Sequence, residues 1–152
     1  MTTPLESVRV TREDLVATVT LIGPGRGNAL GSAFWREMSG LFADLDRDDT
    51  VRAVVLRGDG KGFSTGLDIA GMMNDVGELF AGENLAAGRT KLLRQIELMQ
   101  GALNAIARSK KPVIAAIHGW CIGGALDLIT ACDIRVCSAD AKFSVREVKL
   151  AI

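Results

Sequence analysis

Two glycine-rich turns are the parts of this sequence best suited to chemistry. The first lies within residues 62–69 and the second within residues 111–127. In both, an apolar run typical of a β-strand leads into glycines that precede a helix-like segment. Such a turn leaves backbone N–H groups without partners at the helix start. Two turns of this kind facing each other could bind one oxygen that becomes negative during a reaction, which predicts an oxyanion hole.

Two carboxylates follow the second turn. Asp127 lies three residues after Gly124, and Glu147 comes twenty residues later, just after a run typical of a strand. A pair of carboxylates beside an oxyanion hole can move a proton next to a carbonyl group. Each also has a simpler interpretation: Asp127 as an acid that complements a helix dipole, and Glu147 as a solvated acid between Arg146 and Lys149.

The elements around these residues predict an α/β fold, because apolar runs typical of strands alternate with helical periodicity. Residues 8–10 and 15–22 predict a hairpin around the polar break at 12–14. Helices are predicted at residues 32–46, 92–106 and 125–131. Further strands are predicted at residues 53–56, 113–117, 134–137 and 142–145.

Composition excludes several classes of function. The chain has 152 residues, which predicts one domain over residues 1–152. Eighteen basic and eighteen acidic residues cancel, so no net charge attracts nucleic acid or an anionic membrane. No apolar run approaches the roughly 18 residues needed to span a bilayer. The first ten residues lack the pattern of a secretory signal. We therefore expect no nucleic-acid partner, no membrane span and a cytoplasmic location.

The cysteines and the histidine predict neither a disulfide nor a metal site. Cys121, Cys132 and Cys137 are odd in number and contain no CxxC pair, which favours reduced thiols that pack as small apolar side chains. His118 is interpreted as a structural residue at a strand end. One histidine without closely spaced thiols does not match the ligand patterns of zinc.

Two rival motifs fit less well. Residues 62–66 match G-x-S-x-G, the nucleophile elbow of α/β hydrolases. That motif requires the serine at a sharp turn directly between strand and helix, followed by an acid and a histidine. Here residues 57–61 separate the strand from the motif. Residues 23–27 resemble a dinucleotide loop, but Asn28 stands where the third glycine is required.

Taken together, the segments resemble the crotonase superfamily, the enoyl-CoA hydratases and isomerases. Residues 63–68 are similar to the first signature of that family, residues 111–119 with the Gly123-Gly124 pair to the second, and residues 24–30 to its early loop. The resemblance implies a core of stacked ββα units that acts on acyl-CoA thioesters without a metal or redox cofactor. It also implies a homotrimer or a dimer of trimers, and a C-terminal helical region that this chain lacks.

The resemblance also assigns residues. It implies that the backbone N–H groups of Leu67 and Gly124 bind the thioester oxygen. It implies that the backbone of the first turn lines the CoA moiety, with the adenine near Thr65; the residues concerned are Ser64, Thr65, Gly66, Leu67, Asp68 and Ile69. Asp127 and Glu147 fall where hydratases of the family carry two glutamates.

The details favour one branch of the family over another. Residues 121–135 and 145–148 are more similar to the dienoyl-CoA isomerases, in which the equivalent of Glu147 exchanges the proton at C2. A further aspartate of those enzymes would lie a few residues past Ile152. We therefore expect isomerisation of 3,5-dienoyl-CoA to 2,4-dienoyl-CoA in fatty acid β-oxidation. The alternatives are an enoyl-CoA hydratase and a non-catalytic protein that binds acyl-CoA or only oligomerises.

Overall fold

The computed structural model describes residues 4–25, 27–72, 85–146 and 148. In chain order its named elements are β1 Val8–Glu13, β2 Val16–Leu21, α1 Ser32–Arg47, β3 Ala53–Gly58, α2 Leu85–Ala107, β4 Val113–Ile117, β5 Trp120–Ile122, α3 Gly124–Thr130, β6 Ile134–Cys137 and β7 Lys142–Ser144. The prediction of an α/β fold is confirmed.

A five-stranded sheet with the order β1-β2-β3-β4-β6 forms the centre of the fold. The strands β1 and β2 are the predicted antiparallel hairpin, in which Glu13 pairs with Val16. Asp14 makes this tight turn possible with a left-handed φ of 51°, a conformation that Asp adopts more readily than most residues. The other neighbouring strands of this sheet are parallel, and the chain that connects each parallel pair contains at least one helix.

The hydrophobic core lies on one face of this sheet. Side chains alternate along the strands, so that Val54, Leu56 and Ala115 are buried while their neighbours Val55 and Ile114 are only partly covered. The buried residues of α1 recur at helical spacing and join the same core; they are Phe34, Trp35, Met38, Phe42 and Leu45. Helix α2 packs closely against α1 and adds Ala102 and Ile106 to the core.

A second, two-stranded sheet differs from the sequence prediction. Residues 119–124 were predicted as a turn, but Trp120–Ile122 is the short strand β5, which pairs in parallel with β7. The strand is only three residues long and flanked by glycines, so it has no hydrophobic periodicity of its own. Its pairing partner lies more than twenty residues away, and the pairing therefore depends on tertiary structure rather than on local preference.

The long helix α2 begins at Leu85 and ends at Ala107, and it therefore starts earlier than the predicted segment at residues 92–106. Its apolar residues do not all face the core, since Leu93, Ile96 and Leu98 are 54%, 41% and 37% exposed. In the described residues we find no helix whose length and hydropathy would allow it to cross a membrane.

Candidate active site

The two glycine-rich turns meet at one edge of the large sheet. They follow β3 and β4, which are adjacent and parallel, so both leave the sheet at the carboxyl ends of their strands. That edge is the usual location of binding sites in parallel sheets. The turns are joined by backbone hydrogen bonds: Phe63 N donates to His118 O (2.8 Å), Ser64 N to Trp120 O (2.9 Å) and Ile122 N to Ser64 O (3.1 Å).

The N–H groups of Leu67 and Gly124 lie side by side. A β-carbon placed on Gly124 would be 3.8 Å from the Leu67 nitrogen. Gly66 O accepts a hydrogen bond from Leu30 N (2.8 Å), and Gly123 O accepts one from Leu126 N (2.7 Å). In a trans peptide the following N–H points away from the C=O. Among the hydrogen bonds of the described residues, neither Leu67 N nor Gly124 N is a donor.

Gly66 makes this close approach possible. Its φ is 84°, and an added β-carbon would lie 2.3 Å from Ile122 O and 3.2 Å from Gly124 N. A side chain would therefore be strained by its backbone conformation and would also collide with the second turn. Glycine at this position is what allows the first turn to lie directly against the start of α3.

Ser64 is a structural residue of the first turn. It is 1% exposed. Its hydroxyl donates to Asn28 O (2.7 Å) and accepts from Gly66 N (3.1 Å). Both bonds are to backbone groups, whereas a nucleophile elbow presents its serine to the substrate beside a histidine. His118 contacts Gly60 O at 3.0 Å instead. The geometry thus gives no support to the hydrolase alternative.

A largely apolar cavity of about 640 Å³ lies beside the two free N–H groups. Its apolar wall consists of Trp35, Leu67, Ile69, Ile96, Met99, Leu103 and Ile122. The polar residues that line it are Thr65, Gln100, Asp127 and Arg146. Gly123 and Gly124 complete the lining. The cavity has the composition of a site for an apolar chain with a few polar contacts.

The structure brings together five of the residues singled out from the sequence: Thr65, Leu67, Ile69, Gly124 and Asp127 all line the apolar cavity. Ser64, Gly66 and Asp68 do not. The Asp68 carboxylate accepts a hydrogen bond from Gly71 N (3.0 Å) and so begins the helical segment at residues 69–72. Glu147 lies outside the described residues.

A second cavity of about 640 Å³ is more polar and shares Thr65 with the first. It is lined by Gly25, Gly27, Asn28, Asp59, Gly60, Lys61, Gly62 and Trp120. Trp120 is half-exposed, and the Lys142 ammonium lies 4.8 Å from the centre of its ring. The Trp120 ring, the lining residue Lys61 and the glycine-rich backbone are suited to a polar ligand with anionic groups.

Several residues of these cavities were not predicted. Trp35 and Gln100 belong to helices whose apolar stripes indicate only packing, so sequence periodicity could not show that they reach a cavity. Asn28 was considered as a departure from a dinucleotide motif and as part of the early loop at residues 24–30, without a role for its side chain. Its position directly after glycines at 25 and 27 was the available signal, because Asn tolerates left-handed backbone, and its φ is 54°.

Two of the three thiols are packed in the core. Burial raises the pKa of Cys121 to about 11 and that of Cys132 to about 12. Both are therefore neutral at physiological pH and act as small apolar side chains, as predicted. Cys137 differs, since it is exposed on β6, the edge strand of the large sheet.

Comparison with known proteins gives a consistent result. The mitochondrial Delta(3,5)-Delta(2,4)-dienoyl-CoA isomerase of Homo sapiens is 45% identical over 148 residues, 97% of this chain and 45% of that protein. The peroxisomal one of Arabidopsis thaliana is 42% identical, over 97% of this chain and 53% of that protein. A short-chain-enoyl-CoA hydratase of Clostridium acetobutylicum is 36% identical, over 97% of this chain and 52% of that protein.

A solved structure agrees with these relatives. An enoyl-CoA hydratase/carnithine racemase from Magnetospirillum magneticum superposes with a TM-score of 0.80 at 35% identity, over 98% of this chain and 52% of that one. The fold inferred from the sequence, a crotonase-like α/β core, is confirmed.

The expectation of a cytoplasmic location is wrong. The two dienoyl-CoA isomerases compared above are mitochondrial and peroxisomal by name. The expectation rested on the lack of a secretory signal pattern and on unpaired cysteines. Neither feature distinguishes the cytoplasm from the interior of those organelles.

The match covers nearly all of this chain but only part of each relative. The chain spans about half the length of the curated relatives it matches, 45% of the human protein and 53% of the Arabidopsis one. Within the chain the match is nearly complete, because the sequence model of the enoyl-CoA hydratase/isomerase family covers residues 11–152. This chain, with its two facing glycine-rich turns, therefore belongs to the enoyl-CoA hydratase/isomerase family.

Proposed function

We propose that the protein isomerises 3,5-dienoyl-CoA to 2,4-dienoyl-CoA in fatty acid β-oxidation, by stabilising the enolate of the thioester. The observation that carries this proposal is the pair of free N–H groups, Leu67 and Gly124, beside an apolar cavity. Two fixed donors aimed at one oxygen stabilise negative charge as it develops, without reorganisation during the reaction. The 45% identity to the human dienoyl-CoA isomerase supports the choice of reaction.

The two cavities suit the two halves of such a substrate. An acyl-CoA joins an apolar chain to a polar, phosphate-bearing nucleotide through a thioester. In our proposal the acyl chain occupies the apolar cavity and the CoA moiety lies along the first turn, toward the cavity that contains Lys61. Thr65, which lines both cavities, lies at the passage between them, and the thioester oxygen lies at Leu67 and Gly124. The substrate supplies the CoA, and the reaction needs no metal or redox cofactor.

The proposed reaction is a proton transfer along the diene. A base removes a proton from C2, and the electron pair of that C–H bond moves into the thioester, whose oxygen becomes negative. The enolate then takes up a proton at C6 from a carboxylic acid of the protein, which leaves double bonds at C2 and C4. Glu147 is our candidate for the C2 base. Asp127, a lining residue of the apolar cavity, is our candidate for a second carboxylate near the path of the acyl chain.

The test of the base is Glu147→Gln, which keeps the shape of the side chain but cannot accept the proton. We expect deuterium exchange at C2 of an acyl-CoA to slow by about 10²–10⁴, with substrate binding largely retained. Glu13→Gln, at the end of β1 and remote from both cavities, is the matched control. Exchange at the wild-type rate in Glu147→Gln would remove Glu147 from the mechanism. A wild-type protein that binds acyl-CoA without exchanging C2 would favour a binding function.

Hydration of a 2-enoyl-CoA is the second candidate, favoured by the 36% identity to the Clostridium hydratase. The residue that argues against it is Asp127, one methylene shorter than the glutamate of the family's hydratases and so less able to hold a water between two carboxylates. We expect the rate of 3,5- to 2,4-dienoyl-CoA conversion to exceed the rate of 2-enoyl-CoA hydration. Both rates can be followed by the absorbance of the conjugated product or substrate. Faster hydration would reverse the ranking.

We also propose that the protein assembles as a homotrimer or a dimer of trimers. Apolar side chains exposed on α2 and on the edge strand β6 support an association of subunits; they are Leu93, Ile96, Leu98, Ile134 and Val136. Sedimentation equilibrium measures the assembly directly. A monomer at micromolar concentration would contradict this part of the proposal.

A further inference from the structure

Residues 27–30 run alongside the first turn and hold it by hydrogen bonds. Thr65 N donates to Gly27 O (2.8 Å), and Leu30 N donates to Gly66 O (2.8 Å). Asp68 N in turn donates to Leu30 O (3.1 Å). The carbonyl of the peptide between Gly66 and Leu67 is therefore held by Leu30, and the N–H of this trans peptide points away from Leu30. The orientation of that N–H depends on where residues 27–30 lie.

The side chain of Asn28 anchors residues 27–30 to the loop at residues 59–63. Its Nδ2 lies 2.8 Å from Asp59 O, 2.9 Å from Gly62 O and 3.2 Å from Phe63 O. Three carbonyl neighbours identify this atom as the nitrogen of the amide. Its two hydrogens serve the two nearer carbonyls, and the third carbonyl shares one of them. Asn28 thus ties residues 27–30 to the loop that leads into the first turn.

The backbone of Asn28 takes part in the same network. Its carbonyl accepts a hydrogen bond from the hydroxyl of Ser64 (2.7 Å), and this hydroxyl accepts a hydrogen bond from Gly66 N (3.1 Å). Its φ of 54° is left-handed, a conformation disfavoured for most residues other than glycine. At 6% exposure, and with its amide nitrogen already bonded to backbone, Asn28 acts on the protein itself rather than on a ligand in the neighbouring polar cavity.

We propose that Asn28 is a positioning residue for catalysis: its amide holds residues 27–30 in register against the first turn, so that the Leu67 N–H points at the substrate oxygen. This inference rests on the proposed oxyanion hole. It predicts that loss of the amide lowers turnover more than it lowers substrate affinity, because binding uses many contacts whereas charge stabilisation depends on the direction of two N–H groups.

The experiment compares Asn28→Gly with Asp14→Gly. Asp14 is the other residue of the described chain that is left-handed without being glycine, with a φ of 51°, and it lies in the hairpin turn far from the site. Glycine accepts this backbone conformation freely, so neither variant suffers backbone strain and only the side chain is lost. Two properties are measured: hydrogen exchange of the Leu30, Gly66 and Asp68 amides by NMR, and kcat and KM for C2 exchange of an acyl-CoA.

For Asn28→Gly we expect faster exchange of those amides and a fall in kcat of about tenfold to a hundredfold, the effect of a small misplacement of catalytic groups. KM should change little. Asp14→Gly should match the wild type in both properties. If Asn28→Gly does not fold, Asn28→Asp replaces it, since Asp also tolerates left-handed backbone but lacks the donating NH₂.

The two measurements separate the possible failures. Unchanged amide exchange in the Asn28 variant would overturn the positioning role, whatever the activity. Faster amide exchange with full kcat, in a protein whose wild type is active, would also overturn it while leaving the proposed function intact. A wild type without any C2 exchange would refute the proposed function instead, and the amide exchange would still decide whether Asn28 holds the first turn.

Discussion

The two glycine-rich turns present similar N–H groups but are held in different ways. The peptide that carries the Leu67 N–H is fixed by Leu30 (2.8 Å), more than thirty residues earlier in the chain, and through it by Asn28. The peptide that carries the Gly124 N–H is fixed by Leu126 N (2.7 Å), within the first turn of its own helix α3. The residues before that peptide are tied to β7 by the pairing of β5 and by the bonds from Gly123 N to Ser144 O (2.9 Å) and from Lys142 N to Gly119 O (2.7 Å).

The two N–H groups therefore differ in what fixes their orientation: neighbouring residues of the same helix for Gly124, and segments distant in the sequence for Leu67. The peptide that carries the Gly124 N–H takes its orientation from the start of helix α3, although the strand before it is paired with β7. Distant substitutions should therefore disturb this N–H less than they disturb the N–H of Leu67. The first turn takes its geometry from other segments, so substitutions at distant positions should disturb it too. Substitutions at Gly124, Gly66 and Leu67 test this comparison, and the expected loss of turnover decreases in that order.

Gly124→Pro should have the largest effect. Proline removes the donor itself and fixes φ, and loss of one oxyanion donor costs about 10²–10³ in turnover. The measurement is the rate of C2 exchange, together with circular dichroism to verify folding, since proline can distort the turn. Full activity in a folded Gly124→Pro protein would show that the second turn supplies no donor.

Gly66→Ala should have the next largest effect, because it forces the two turns apart without removing an N–H. The added β-carbon would meet Ile122 O at 2.3 Å in a residue whose φ is 84°. We expect kcat to fall by about tenfold or more and the melting temperature to fall as well. Gly40→Ala in α1 is the matched control, since a β-carbon there meets nothing within 4 Å. Equal behaviour of the two variants would contradict the close packing of the turns.

Leu67→Ala should have the smallest effect. The side chain lines the apolar cavity, but the donor belongs to the backbone and remains. We expect a change in KM and a loss of kcat below about tenfold, since no oxyanion donor is lost. Steady-state kinetics with one acyl-CoA substrate measures both. A loss as large as that of Gly124→Pro would mean that the two-amide arrangement is wrong.

Local patterns predicted most of the fold. The strand at 113–117 and the strand at 134–137 have the predicted bounds, and α1 differs from its prediction by one residue. These elements carry strong periodicity or continuous apolar runs, which need no knowledge of their neighbours. The strand β5 was not predicted, because it is stabilised by pairing with β7 and not by its own sequence.

The site was predicted less completely, for a related reason. The resemblance to the family singled out Leu67 and Gly124, and the structure places them side by side; their role as donors, like that of Glu147, stays a prediction. The structural role of Asn28 and Ser64 could not be predicted. Both act through side-chain bonds to backbone groups more than thirty residues away, and no local pattern encodes such contacts.

The proposed use of main-chain donors also has a consequence for how this site would tolerate mutation over evolutionary time. At position 67 every amino acid except proline retains the N–H, so the side chain there can change while the donor persists. The Leu67 side chain meanwhile forms part of the wall of the apolar cavity. If the proposed function holds, substitution of Leu67 by any residue except proline would alter which acyl chains fit while the N–H remains. Position 67 is then a natural first choice for a directed-evolution library that seeks new chain-length preference.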